Sequence, residues 1–407
     1  MIDTFPIFDY YTSLPISDVA KNIQYANLTQ AFLQRTSDTH CLTACSSDEK
    51  ERFLLFSERL FRSIGSPIEE CMHSILTKVF LINSPLTPEI AEDIWGRTES
   101  MLSSPDFSCH SILNKLKVRS FSVPFSSADD LQYFQAHGAG SLPDDVKIQP
   151  MLDASPYFTL RSKGYVEKVS ILSADVRFQV NTADDLLSAI ERQIDRFYAV
   201  GANRLVLDLQ SLSDNPNAKK ANKVFQKTIN ALQIKKKAAM NFSSYLLNGL
   251  ALMCAKRNWL LHIRIRDTDL AAEDISNLFH LFASLRKESA LSRTLISCRS
   301  AELFSIVCMM LQDADAQMRQ LILPVISAEY GSGAVIRQAS TLARFSLLDN
   351  CAGLSSESSC VLGLVGLQVA QEKLGRFFQS IAGEERAAAL MHRICIDQPM
   401  RFLGQHV

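Results

Sequence analysis

Short runs of apolar residues recur along the chain, separated by segments whose apolar positions return every three to four residues. Eight runs have strand length: 6–10, 118–124, 147–152, 204–209, 259–265, 294–298, 321–327 and 346–353. Several are continuously apolar rather than alternating, as a strand buried on both faces should be. Between them the clearest helical segment is 184–198 (DDLLSAIERQIDRFY), with Asn181-Thr182 as its start signal and Gly201 soon after its end. Strands alternating with helices predict an α/β chain folded as a (β/α)8 TIM barrel. An open doubly wound sheet is the competing architecture, but it would want a Gly-rich phosphate loop after an early strand, and none is present.

The spacing is uneven. More than a hundred residues separate the first two strands, and they read as helices at 49–62, 68–80 and 87–102 with turns at Ser66-Pro67 and Ser84-Pro85. The expectation is one barrel domain over 1–407, with a helical insertion at about 25–116 packed over one face.

Composition changes this picture little. The 407 residues are 47% hydrophobic and 21% charged with a net charge of −1, which gives no overall field for nucleic acid or an anionic membrane. No apolar run approaches the roughly 20 residues that span a bilayer, and no signal-peptide pattern opens the chain. Cytoplasmic location and reduced core cysteines are the corresponding expectations for the ten scattered cysteines. His40-Cys41-x3-Cys45 offers three soft ligands without a nearby fourth. Seven lysines within 218–241 read as a solvated outer helix face rather than a polyanion site. Gly331-Ser332-Gly333 lacks a full nucleophile elbow and reads as a flexible turn. His262, inside the fifth strand, reads as a packed or outward-facing residue rather than a ligand. Cys109-His110, adjacent in sequence, does not make a catalytic dyad.

In a barrel, chemistry sits at the C-terminal strand ends. That rule selects Tyr11–Ser13, Asp153, Asp208, residues 264–267, Arg299, Glu329 and residues 355–357.

The stretch FPIFDYYTSLPISDVAKNIQYANLTQAFL resembles the start of the uronate isomerases, metal-dependent barrel enzymes of the amidohydrolase superfamily. Ile64-Gly65-Ser66-Pro67 is similar to that family's Ile-Gly-Asn-Pro turn. The segment 86–118 (LTPEIAEDIWGRTESMLSSPDFSCHSILNKLKV) is the strongest match, and 393–403 (RICIDQPMRFL) resembles the closing segment. The resemblance implies interconversion of D-glucuronate with D-fructuronate and of D-galacturonate with D-tagaturonate, a divalent metal such as zinc, a sugar acid as partner and assembly into homo-oligomers.

The family's functional motifs are replaced. The His-x-His pair falls on Tyr11 and Ser13, and the fifth-strand His-Ile-Gly on Arg264-Ile265-Arg266. The Arg-Pro-Asp loop falls on Asp153-Ala154-Ser155, and a Gly-Trp-Trp motif on a stretch, 323–328, that has no tryptophan. The eighth-strand Asp falls on Glu357, or on Ser355 with a two-residue shift. His73 lies where some members carry a histidine, but on the insertion.

Tyr11 could ligate only as a phenolate, far below its ordinary pKa of about 10. Ser13 is a weak neutral ligand, and the permanent charge of Arg264 would repel a cation. No metal and no cofactor are therefore predicted. The pocket candidates are Tyr11, Ser13, Asp153, Arg264, Arg266 and Glu357. Arg264 either fills the place of the ion and pairs with Glu357 or Asp153, or points to solvent. Three functions are expected to compete: a degenerate isomerase-like protein whose reaction is lost or repurposed, an active uronate isomerase with atypical ligands, and a structural subunit of an isomerase oligomer.

Overall fold

The structure is a computed structural model, and it describes residues 5–35, 46–137, 142–143, 145–266, 269–329 and 331–403. Eight parallel strands follow one another in chain order: β1 Ile7–Asp9, β2 Val118–Phe125, β3 Lys147–Asp153, β4 Arg204–Asp208, β5 Leu260–Ile265, β6 Thr294–Cys298, β7 Ile322–Ser327 and β8 Gly353–Ser355. With helices outside, they form a nearly closed TIM barrel. Strands β5, β6 and β7 are buried at every position, which is why their sequence is a continuous apolar run.

The barrel closes beyond the strand ends rather than along a ladder. Glu357 N–H donates to Tyr11 O at 3.1 Å, and Ser13 N–H donates to Ser358 O at 2.8 Å. Both segments of the seam thus belong to the mouth, where side chains gather. At the opposite end, Phe8, Tyr10, Leu260, Leu295, Leu323 and Val325 pack together under Phe402. This cluster is separate from the large core between sheet and helices.

The helix Ala183–Tyr198 begins with a reciprocal cap. Thr182 Oγ1 accepts from Asp185 N–H at 3.0 Å, and Asp185 accepts from Thr182 N–H at 3.0 Å. Leu186, Ile190, Ile194 and Phe197 recur at helical spacing and are fully buried against the sheet. Between β1 and β2 the insertion contains the helices Glu49–Phe61, Pro67–Lys78 and Ala91–Leu102. Pro67–Lys78 packs on Gly331–Arg344 and Val365–Ala382, the helices that flank β8.

Two expectations change. The eighth strand is three residues long and starts where the expected run ends, because Leu348–Asn350 forms a tight 3-10 turn instead. Ser346, with φ of 57°, ends the preceding helix, so Leu347 is buried from a turn and not from a strand. Gly331-Ser332-Gly333 is no flexible turn but the start of the helix Gly331–Arg344. Ser332 N–H there donates to Glu70 Oε2 at 2.7 Å. His40, Cys41 and Cys45 lie outside the described residues. No described helix is long and apolar enough to cross a membrane.

Candidate functional site

Arg264 sits one residue from the end of β5, and its side chain is 4% exposed. It turns into the barrel, not to solvent. Its Nη2 lies 2.6 Å from Asp208 Oδ1, its guanidinium carbon 3.8 Å from the centre of the Tyr11 ring, and its Nη1 4.0 Å from Glu357 Oε2. The close carboxylate is therefore Asp208, which was not among the expected partners. Asp208 and Arg264 are register partners on β4 and β5, so their side chains leave the sheet on the same face. Burial works against the guanidinium charge, but Tyr11, Asp208, Glu357 and Asp153 outweigh it and hold the pKa above its ordinary value.

The other candidates surround this charge. Tyr11 is buried, and burial raises its pKa despite the attraction of Arg264, so the phenol stays neutral. Ser13 is exposed at the rim. Burial also raises the pKa of Asp153, while Ser155 hydrogen bonds oppose the rise; Ser155 N–H donates to its Oδ1 at 2.8 Å. Asp153 thus closes a local turn and is no direct partner of Arg264. Glu357, with φ of 52°, follows the end of β8 in left-handed backbone, and its side chain is 5% exposed. Such strain persists where the surroundings fix it. Here Arg266 Nη1 meets Glu357 Oε2 at 3.0 Å.

Four participants stand outside the six pocket candidates. Arg299 Nη2 lies 2.6 Å from Glu329 Oε1, and Arg266 Nη2 lies 3.7 Å from the same atom. Burial, then the Glu357 charge, pushes the Glu329 pKa up to about 7. Asp208, Arg299 and Glu329 all occupy strand-end positions that the barrel rule picks out, but no motif marks them. The fourth, Asp9, ends β1 but lies inside the expected strand 6–10, so the rule pointed past it. Fully buried, it accepts from Ser356 N–H at 3.0 Å, from Tyr11 N–H at 3.2 Å and from the Ser356 hydroxyl. Burial pushes its pKa up to about 7. His262 points inward beneath Arg264, its Nε2 3.1 Å from Ser297 Oγ, and burial followed by Arg264 and Arg204 lowers its pKa to about 3. It is a neutral, packed histidine.

The donor set does not fit a divalent ion. A neutral phenol, an exposed serine and a guanidinium stand at the mouth, and no three His, Cys, Asp or Glu side chains among the described residues are placed to hold a metal. What the arrangement offers is alternating charge: Arg264 with Asp208, Arg266 with Glu357, and Arg299 with Glu329.

Comparison with known proteins gives this mouth a lineage. The sequence profile of the glucuronate isomerase family matches residues 1–271. The chain belongs to the glucuronate isomerase family. That match runs from β1 through β5 and so includes Tyr11, Asp153, Asp208, Arg264 and Arg266, while Glu329 and Glu357 lie beyond it. The uronate isomerase of Histophilus somni is 26% identical over 274 residues, 64% of this chain and 58% of that protein. The uronate isomerase of Caldanaerobacter subterraneus is 24% identical over 321 residues, 71% of this chain and 68% of that protein. The matched stretch thus spans less than two thirds of the Histophilus protein. The barrel superposes on uronate isomerase from Thermotoga maritima with a TM-score of 0.80 at 15% identity, covering 98% of this chain and 94% of that one. For glucuronate isomerase from Caulobacter crescentus the TM-score is 0.82 at 13% identity, with 99% and 92% covered. These two likenesses establish the family fold.

Proposed function

We propose that this family member binds a sugar acid at its barrel mouth without carrying out metal-dependent isomerisation. One observation carries the reading: a buried guanidinium, Arg264, lies among Asp208, Tyr11 and Glu357, where a divalent ion would need those carboxylates for itself. Two cations at such a spot repel strongly in a medium of low dielectric constant. An ion would also find no imidazole at Tyr11 or Ser13. The three arginines at the mouth suit an anion, and the family's name-giving substrates supply the class.

Isomerisation of an open-chain uronate moves a proton between C2 and C1, and it needs a base and a group that polarises the carbonyl. Glu357 and Asp153 are candidate bases, but each is engaged, Glu357 with Arg266 and Asp153 with Ser155. The test is conversion of D-glucuronate to D-fructuronate by the purified protein, followed by NMR with and without zinc or manganese, beside an active relative. No turnover in either condition is the expected result. Metal-dependent turnover would overturn the proposal and establish the protein as a working isomerase.

A further inference from the structure

Beside the barrel axis lies a cleft of about 200 Å³, large enough for a molecule of hexose size. Arg299, Glu329 and Glu357 line it, together with Glu70 from the insertion helix and Ser358 and Ser359 from the loop after β8. In this cleft Glu329 holds a peculiar place. Its carboxylate caps Arg299 at 2.6 Å and leans on Arg266 at 3.7 Å, yet it also faces the buried charge of Glu357. It is two residues beyond the end of β7, and its side chain is 22% exposed. Glu329 thus shares its place between two arginines and the neighbouring carboxyl of Glu357, with which it hydrogen-bonds, and it reaches the cleft together with Arg299.

We propose that Glu329 is an internal stand-in for a ligand carboxylate: it occupies the seat on Arg299, and a small hydroxylated carboxylate entering the cleft displaces it. This rests on the reading of the mouth as a sugar-acid pocket and adds to it the seat and its occupant. Displacement leaves the ligand carboxylate paired with Arg299 in a bidentate geometry, with Arg266 behind. The ligand's hydroxyls meet Ser358, Ser359 and Glu70, and Glu70 is itself steadied by Ser332 N–H at 2.7 Å and by Lys373 at 4.0 Å. Glu357 keeps its own partner, Arg266, at 3.0 Å throughout. In this arrangement the resting protein is inhibited by its own side chain, and Glu329 competes with the ligand carboxylate at Arg299.

The probe is D-glucuronate, titrated by calorimetry into wild type, Glu329→Gln and Glu329→Ala at pH 7.5, with D-glucose as the probe of equal size without a carboxylate. Thermal melts confirm that each variant is folded, and the two variants guard against failure of either one. The proposal expects both variants to bind D-glucuronate about tenfold more tightly than wild type, and D-glucose to show no such gain. Adding Arg299→Gln to Glu329→Gln should abolish the gain. Equal or weaker binding by the two variants, or an equal gain for D-glucose, overturns the proposal. Turnover plays no part in this experiment, so metal-dependent isomerisation would overturn the function proposed above while leaving this result to stand or fall alone.

Discussion

Arg264 shows how one residue sets the character of a site. Removing an arginine from water costs several kcal/mol, and that cost is recovered only if good partners meet it. Asp208 provides the close ion pair and the Tyr11 ring a cation–π contact at 3.8 Å. Arg264→Met keeps most of the volume but leaves Asp208 and Glu357 without that counter-charge. It should lower stability by about 3–5 kcal/mol in urea unfolding at pH 7; a loss below about 1 kcal/mol would mean the charge contributes little to the fold. Asp9 gives a pH signature. Its pKa is raised to about 7 in the fold from an ordinary value of about 4, so the folded state binds its proton more tightly. Stability from this group is therefore greatest at low pH and is lost as pH rises from about 4 through 7. Asp9→Asn removes that slope. The melting temperature of the variant minus that of wild type should grow more positive between pH 5 and pH 8; a difference that stays flat would show that Asp9 does not titrate in that window.

At the scale of elements, legibility followed burial. β6 could be bounded at 294–298 because an apolar run stands between Arg293 and Arg299, and β5 because residues 260–265 are buried on both faces. β8 could not, because only three residues of it pair, and the apolar Leu347 that suggested a longer strand is buried from a turn. Its position depends instead on Gly353, with φ of 141°. A β-carbon there would lie 2.7 Å from the Tyr10 ring and 3.3 Å from Ile394 O. Gly353→Ala should therefore cost roughly 1–3 kcal/mol, read as a lowered melting temperature, and an unchanged melt would show that the β1–β8 seam can yield. The site was legible in the same uneven way. Arg264 stood out because it falls where the resemblance puts the fifth-strand histidine, while its partner Asp208 is set by the β4–β5 register, which a one-residue slip would reverse. Glu329 and Arg299 needed the barrel to close before their strand ends came together. Asp9 reads as part of a buried strand, and nothing in its neighbours announces a seam.

At the scale of the whole molecule, the family fold carries a mouth lined with internal ion pairs. Three arginines at the strand ends each pair with a carboxylate among the described residues, so the mouth carries internal counter-charges without an added ion. On the function proposed above, a divalent cation would have to evict a guanidinium, and binding that demands such a rearrangement is weak. The most direct test is calorimetric titration of zinc and manganese into the purified protein, repeated on Asp208→Asn and Glu357→Gln so that any binding by cysteines elsewhere is told apart from binding at the mouth. The expected result is no metal binding that either substitution removes. One equivalent of metal, bound by wild type and lost in both variants, would contradict it.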